Sequence, residues 1–225
     1  MRPMASDDTR TRLLDGALRT VAGNGIAKTS ARSIAASAGV NQGLIFYHFG
    51  SVDELLAAAC RHGAEQSAAR YRERFAAVRS FDELARLGRE VHEAERASGH
   101  VATLAQLLAA APSREWLAQA TAAGLGAWTR ELEGVLSRLL PRTPLEGLVD
   151  TGGLATALAA AFVGMELYEG VDARGAARAF TALEDLARLA AVLDDLGPVT
   201  RTAVRAKLRA AAGDRGPGTE RFTER

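Results

Sequence analysis

Residues 29–56 read TSARSIAASAGVNQGLIFYHFGSVDELL, and this stretch decides the fold of the 225-residue chain. Its pattern predicts two short helices joined by a tight turn, followed by the capped start of a third helix. The apolar stripe of the first helix consists of Ile34, Ala35 and Ala38. Gly39 ends that helix, because glycine tolerates the left-handed conformation that helix ends often need. Asn41 can cap the next helix through its side-chain oxygen.

Helical spacing divides the short helix after the turn into two faces. One face carries Gln42, Gly43 and Phe46, and the other carries Ile45 and Phe49. The second face would pack against Val21, Ile34 and Leu55. A short helix that exposes amide and aromatic groups, braced by another helix across a glycine turn, is how a helix-turn-helix enters the DNA major groove.

This stretch resembles the DNA-binding region of the TetR (tetracycline-repressor) family of bacterial transcriptional regulators. The resemblance is carried by Ile34-Ala35, Ala38-Gly39-Val40, Gly43, Phe46-Tyr47-His48-Phe49, Ser51 and Glu54-Leu55. The match runs without gaps from about Thr9 to Ala59, and the rest of the chain is similar only in helical architecture and length. The resemblance implies an N-terminal domain that binds DNA and a helical domain that binds a small ligand and dimerises.

The resemblance and the side-chain chemistry together give a set of candidate DNA contacts. Gln42 can pair with both hydrogen-bonding groups on an adenine edge, and Phe46 can contact a thymine methyl group. Gly43 permits close approach of the backbone, while Tyr47 and His48 carry polar tips that reach phosphate oxygens. The full set is Thr29, Arg32, Asn41, Gln42, Gly43, Phe46, Tyr47, His48 and Ser51. Two of these, Thr29 and Ser51, are expected at helix N-termini, where free amide groups favour an anion.

Alternatives stay open for individual side chains. Phe46 and Tyr47 could be core aromatics like Phe49, although three bulky residues so close together cannot all face one small core. His48 suits a phosphate contact and a structural hydrogen bond equally. The chain also departs twice from the family pattern, since many members have lysine in place of Val52 and tyrosine in place of Phe46. Both departures should weaken DNA binding somewhat.

The whole chain predicts an all-α protein of about ten helices with no strand. Capping boxes at Ser51 and Ser80 open two of the helices. Thr143, with Pro144 at the first helical position, predicts a further helix start. The predicted segments are a helix-turn-helix DNA-binding domain at 6–50, a helical-bundle ligand-binding and dimerisation domain at 51–212, and a disordered tail at 213–225.

Composition limits the classes of function. Hydrophobic residues make up 48% of the chain and charged residues 24%, as in ordinary globular proteins. Net charge is +1, but residues 1–50 hold six basic and three acidic side chains, and 6 − 3 = +3 suits a DNA-facing domain. The single cysteine, Cys60, fits a reducing cytoplasm. No signal peptide is apparent, and the uncharged stretch at 151–165 is shorter than the ~20 residues of a membrane helix. We expect a cytoplasmic protein with no membrane partner, cofactor or metal.

A ligand pocket is expected between the helices after about residue 63, which supply more apolar surface than DNA docking needs. Candidate lining residues are His92, His100, Gln106, Trp116, Trp128, Phe162, Glu166 and Tyr168. Each of them also suits an ordinary core or surface role. Glu166 is the most informative, because it interrupts an otherwise apolar helix, although it could instead mark where that helix reaches solvent or a partner chain. The helices at about 151–170 and 173–196 resemble the family's dimerisation pair. A twofold homodimer would place two recognition helices one DNA turn apart and match a palindromic operator.

The combined expectation is a ligand-responsive regulator, by the family's habit a repressor, that a small molecule releases from its operator. An enzyme is the main alternative class. His92-Glu93 could begin a zinc-protease motif, but Arg96 stands where the second histidine is needed. No catalytic residue is therefore predicted. The second alternative is a ligand- or protein-binding protein of the same fold that no longer binds DNA.

Overall fold

The computed structural model describes residues 4–194 and 196–213, and within these ranges the chain is all-α, as predicted, with no strand. The described part contains the α-helices α1 (Met4–Asn24), α2 (Ala31–Ala38), α3 (Gly43–Phe49), α4 (Val52–Ala77), α5 (Phe81–Ala97), α6 (His100–Ala110), α7 (Glu115–Leu139), α8 (Thr151–Glu169), α9 (Ala173–Asp194) and α10 (Pro198–Gly213). Short 3₁₀ turns lie at Ile26–Lys28, Ala111–Ser113 and Leu140–Arg142. Gly213 belongs to α10, and the rest of the predicted tail lies outside the described residues.

Serine side chains begin three of these helices. Ser30, Ser51 and Ser80 each accept a hydrogen bond from the backbone amide three residues further on. In α2 the bond is reciprocal, because the Ser33 hydroxyl accepts from the Ser30 amide at 2.9 Å. Gly39 ends α2 with φ of +64°, the left-handed conformation expected of it. The turn between α2 and α3 is therefore set by its own local sequence.

The helix start predicted at Thr143 and Pro144 is wrong. The residues after Thr143 form turns, and α8 begins only at Thr151, where the Asp150 carboxylate accepts hydrogen bonds from two backbone amides. The buried Thr143 hydroxyl accepts from the amide two residues on at 3.1 Å, so it does cap a single turn. Gly147 then adopts φ of +70°, which ends the helical geometry.

Buried side chains form two core clusters, and α4 contributes to both. The first cluster joins α1, α2, α3 and the first half of α4 with Leu107 of α6 and Leu117 of α7. The second cluster joins the last part of α4 with α5, the second half of α7 and α8. With 26 residues, α4 is about 39 Å long at the helical rise of ~1.5 Å per residue. One continuous helix thus runs from the helix-turn-helix into the C-terminal bundle.

The apolar character of α8 raises the question of a membrane span. Thr151–Glu169 is 19 residues long with a mean hydropathy of 1.2, and 17% of its most apolar window is buried in the monomer. One such helix is weak evidence for a membrane, since helices of soluble proteins have the same length and composition. One side of α8 packs against α7 and α9. Its other side is exposed in the monomer.

Candidate DNA-binding surface and ligand cavity

α3 is held in place by one buried face. Ile45 is fully buried and Phe49 is 8% exposed, and both belong to the first core cluster. That cluster also contains Val21, Ile34 and Leu55, the three partners predicted from the sequence. At seven residues, α3 is far below the ~12–15 residues at which isolated helices become stable. Packing therefore fixes its position and orientation.

The opposite face of α3 is open to solvent. Gln42 and Gly43 are exposed, and Phe46 and Tyr47 are 49% and 79% exposed. The alternative that Phe46 and Tyr47 are core residues is therefore excluded. Tyr47 meets the half-buried His48 ring edge-on, with 4.9 Å between ring centroids. This face offers one amide, two aromatic rings and an imidazole to a partner outside the monomer.

Asn41 and Ser51 flank α3, and the side chain of each accepts a hydrogen bond from a backbone amide at the start of a helix. Asn41 Oδ1 accepts from the Gly43 amide at 2.8 Å, as the sequence predicts. Ser51 Oγ accepts from the Glu54 amide at 3.1 Å. Because a hydroxyl accepts and donates at once, Ser51 keeps its own proton available for a phosphate oxygen.

Of the two residues that could cap α2, Thr29 and Ser30, it is not Thr29 that does so. The N-terminal cap of α2 is Ser30, and the Thr29 hydroxyl instead donates to the Gly25 carbonyl at 2.9 Å. A phosphate oxygen needs a donor, so the engaged Thr29 hydroxyl is a weaker phosphate contact than that of Ser51.

Three arginines that the charge count assigned to a DNA-facing domain have structural partners. Arg12 donates to the Gly39 carbonyl and Arg19 to the Ser37 carbonyl, both at 2.7 Å. Cations are favourable at a helix C-terminus, so these bonds tie α1 to the end of α2. Arg10 lies over an aromatic ring of α3, 5.1 Å from its centroid.

Lys28 and Arg32 are the basic side chains near α2 that stay open to solvent. Both are exposed, and neither has a hydrogen bond or ion pair with any described residue. Arg32 lies on α2, next to the cap of that helix. Among the predicted contacts it is therefore the one full positive charge available to a phosphate.

An apolar cavity of about 670 Å³ lies within the C-terminal bundle, between helices as predicted. Its wall is formed by α4 to α9, with a contribution from Leu18 and Arg19 of α1. Small-molecule sites occupy ~300–1,000 Å³, so the cavity has the size of a ligand site. Leucine and alanine dominate the wall, and its charged residues are Arg19, Glu95, Glu166 and Glu184.

Half of the predicted lining residues do lie on this wall, and they are His100, Trp128, Phe162 and Glu166. The other four do not. His92 is buried behind the wall, with Nδ1 2.6 Å from Glu166 Oε1. Trp116 packs against the first core cluster, because it lies at the start of α7 next to Leu117, which belongs to that cluster. Gln106 lies on the side of α6 that faces Gly25. Tyr168 is 54% exposed and borders a separate surface groove between α8 and α9.

Sequence reasoning missed Glu95, which has the most hydrogen bonds of any side chain on the wall. Its carboxylate accepts from Ser67 Oγ at 2.8 Å and Arg70 at 2.9 Å, and lies 2.8 Å from His100 Nδ1. Burial acts to raise the pKa of Glu95, but these hydrogen bonds outweigh it and the pKa lies below its usual value. The available signal was a carboxylate on the apolar face of an amphipathic helix.

The carboxylate of Glu166 has fewer hydrogen-bond partners than the carboxylate of Glu95. Its Oε1 contacts His92, whereas Oε2 is buried and has no hydrogen-bond partner among the described residues. Burial, with repulsion from Glu169 and Glu95, raises the pKa of Glu166 despite the nearby His92. Within the described part of the chain, no group of three or more histidine, cysteine, aspartate or glutamate side chains is placed to hold a metal ion.

The helix-turn-helix also matches a known family by sequence. Residues 13–59 match the family model of the bacterial regulatory proteins of the tetR family. This range runs from the middle of α1 through α2 and α3 into α4. Residues 13–59 therefore form a DNA-binding domain of the TetR type. The ordered helices that surround α3 are therefore the family's DNA-binding domain, and the remaining helices complete a TetR-like fold.

Solved structures share this TetR fold over most of the chain. A putative TetR-family transcriptional regulator from Rhodococcus sp. has a TM-score of 0.67 and 21% identity, covering 82% of this chain and 99% of its own. The multidrug binding protein EbrR, solved with imidazole, has a TM-score of 0.56 and 27% identity, with 77% and 93% covered. The regulator FadR from Bacillus subtilis, solved with stearoyl-CoA, has a TM-score of 0.63 and 18% identity, with 79% and 97% covered. No curated protein matches the chain.

Proposed function

We propose that this TetR-family protein is a ligand-responsive repressor that binds a palindromic operator as a homodimer and leaves it when a small molecule occupies the cavity. The observation that supports DNA binding most directly is the division of α3 into a buried apolar face and an exposed amide and aromatic face. A helix of this length with no role for its exposed face in the monomer suits the major groove. We assign DNA binding to residues 6–50 and ligand binding with dimerisation to 51–212.

Within α3 the proposed roles follow side-chain chemistry. Gln42 reads an adenine edge through its amide, and Phe46 meets a thymine methyl group. Gly43 lets the backbone approach the duplex, while Tyr47 and His48 reach phosphates and set the register. Further phosphate contacts are proposed around the rim of this surface, from Thr29, Arg32, Asn41 and Ser51.

Two copies would associate through α8 and α9. Leu186, Leu189 and Val192 of α9 are 59%, 64% and 60% exposed in the monomer. α8 exposes alanine and glycine side by side along residues 157–164, which permits close helix packing. A soluble monomer rarely leaves so continuous an apolar face open. A second copy of the chain would cover this face. Dimerisation would therefore explain why α8 is apolar, and no membrane is needed.

The cavity and the DNA surface share two helices, which supplies a route for the ligand's effect. α4 begins directly after Ser51 and reaches the cavity wall at Cys60. α6 lines the cavity through Leu104 and packs against α1 and the 3₁₀ turn before α2. A ligand that shifts either helix changes the spacing of the two DNA heads. By linkage, bound DNA then weakens ligand binding by the same factor.

Selection of bound sequences from random duplex DNA by the purified full-length protein tests this function. We expect a palindromic motif whose half-sites are about 34–36 Å apart, one turn of the duplex. No enrichment by a folded dimer at low salt would overturn DNA binding. That result would favour the second candidate, a ligand- or protein-binding member of the same fold that has lost DNA binding.

A further inference from the structure

We propose that the cavity takes an apolar effector that carries one cationic amine, and that the Glu166 carboxylate binds the amine. The inference deepens the proposed function and rests on it in one respect, namely that the cavity is the effector site. The cavity wall carries three carboxylates, and the protein gives them unequal numbers of hydrogen-bond and ion-pair partners.

The wall carries an excess of carboxylates, of which one lacks a strong partner. Glu95 pairs with Arg70 at 2.9 Å, and Glu184 pairs with Arg89 at 2.5 Å. Glu166 is also on the wall but has no arginine. The remaining wall charge, Arg19, already donates to a backbone carbonyl of α2 at 2.7 Å. Any charge that enters the cavity therefore meets Glu166 as the least compensated group.

Among the residues that the structure describes, His92 is the one side chain that pairs with Glu166, and it is shared with a second carboxylate. Its Nδ1 lies 2.6 Å from Glu166 Oε1, and its Nε2 lies 3.0 Å from Glu169 Oε2. Arg96 also pairs with Glu169, on the solvent side of this cluster. A single imidazole thus leaves Glu166 Oε2 without a donor in an apolar setting, where an unmet carboxylate oxygen is costly. Because Glu166 also lines the cavity, a rotation of its side chain would turn the carboxylate to an ammonium group of the ligand, which would supply that donor.

Aromatic rings surround the same end of the cavity. The His92 ring lies 4.4 Å from Phe180 and 6.1 Å from Phe162, measured between centroids, and both phenylalanines are on the wall. Aromatic faces attract cations, and more so where water is excluded. An anionic head group would instead meet three wall carboxylates. The rest of the wall is hydrocarbon, so the body of the ligand is apolar.

The test uses three probes of equal chain length that differ in head-group charge, namely dodecylamine, dodecanol and dodecanoate. The two charged probes are kept below their micellar concentrations and dodecanol below its solubility limit. Trp128 lies on the wall, and the second tryptophan of the chain, Trp116, packs in the other core cluster. Trp116→Phe therefore leaves Trp128 as the only tryptophan reporter of binding. Calorimetry on the full-length wild-type protein measures the same affinities without the substitution.

We expect dodecylamine to bind at least about tenfold more tightly than dodecanol, and dodecanoate to bind most weakly, because a charge-assisted bond is formed only by the amine. Glu166→Gln should remove that preference, because it should lower the affinity for dodecylamine much more than the affinity for dodecanol. Glu166→Asp keeps the charge and should retain the preference. Glu169→Gln is the matched control, since Glu169 contacts the same His92 but does not line the cavity, and it should also retain the preference.

Equal binding of amine and alcohol to the wild-type protein would overturn the inference, whatever the variants do. An equal loss for all three probes in Glu166→Gln would overturn it as well. Both results would leave the cavity as a ligand site and the proposed function intact. If none of the probes binds the folded protein, the cavity fails as the effector site, and the ligand half of the proposed function fails with it.

Discussion

Gln42→Ala should relax base preference at one position of each half-site without disturbing the fold. Gln42 is exposed, and its side chain forms neither a capping bond nor any other hydrogen bond with a described residue. Its truncation should therefore change the free energy of unfolding by no more than about 0.5 kcal/mol. A bidentate amide–adenine pair discriminates against a wrong base by about 1–3 kcal/mol. That loss corresponds to about 5–150-fold in affinity at the position concerned.

The matched control is Tyr47→Phe, which removes one hydroxyl from another exposed residue of α3 and keeps the ring. If that hydroxyl contacts a phosphate, the affinity should fall by about 0.5–1.5 kcal/mol on every sequence alike. Fluorescence anisotropy on the selected operator and its single-base variants, at one fixed salt concentration, separates the two patterns.

The assignment of Gln42 as a base-reading residue is refuted if both variants lose affinity equally on all operators. It also fails if Gln42→Ala keeps the full preference of the wild-type protein, since the amide would then read no base. Equal urea unfolding curves for wild type and Gln42→Ala are needed for either comparison, and a large shift would contradict the exposure of this side chain.

Four other residues give outcomes that can be measured separately. Ile45→Ala should destabilise the protein by about 2–5 kcal/mol in urea unfolding and abolish operator binding, because it removes the fully buried anchor of α3. Burial raises the pKa of Cys60 to about 11, so its thiol should react slowly with a disulfide reagent at about pH 8 until guanidinium unfolds the chain. Leu189→Asp should convert the dimer to a monomer in sedimentation, and a persistent dimer would refute the assigned face. The pKa of Glu95 is lowered in the folded protein, so the free energy of unfolding should fall as pH drops below the ordinary carboxyl pKa of 4.5 and through the lowered pKa. Glu95→Gln should lose this part of the pH dependence.

The parts of the fold that local sequence determines could be predicted from it. The turn between α2 and α3 depends on Gly39 and Asn41, and the two faces of α3 depend on helical periodicity alone. The start predicted at Thr143 was wrong because a capping side chain closes one turn as readily as it opens a helix. The residues after the cap decide between these two outcomes, and here Gly147 turns the chain away.

The residues that line the cavity could not all be predicted from the local sequence. Trp116 and Trp128 were equal candidates from the sequence, but of the two only Trp128 lines the cavity. The packing of α7 against its neighbours decides which of its side chains reach the cavity. Glu95 escaped notice because its partners lie on other helices, α4 and α6. A contact between side chains of two different helices leaves no periodic pattern in the sequence, so it cannot be predicted from one sequence.

The continuity of α4 through both core clusters sets limits on chimeric regulators. A donor DNA-binding segment joined at residue 50 would have to fit the recipient's Leu55 and Leu56, which are buried against α1 to α3. A junction between residues 61 and 70 keeps each cluster whole on α4, because the first cluster ends at Cys60 and the second begins at Tyr71. The unit to exchange is therefore the DNA-binding domain together with about the first two and a half turns of α4, and it must also fit Leu107 and Leu117 of the recipient.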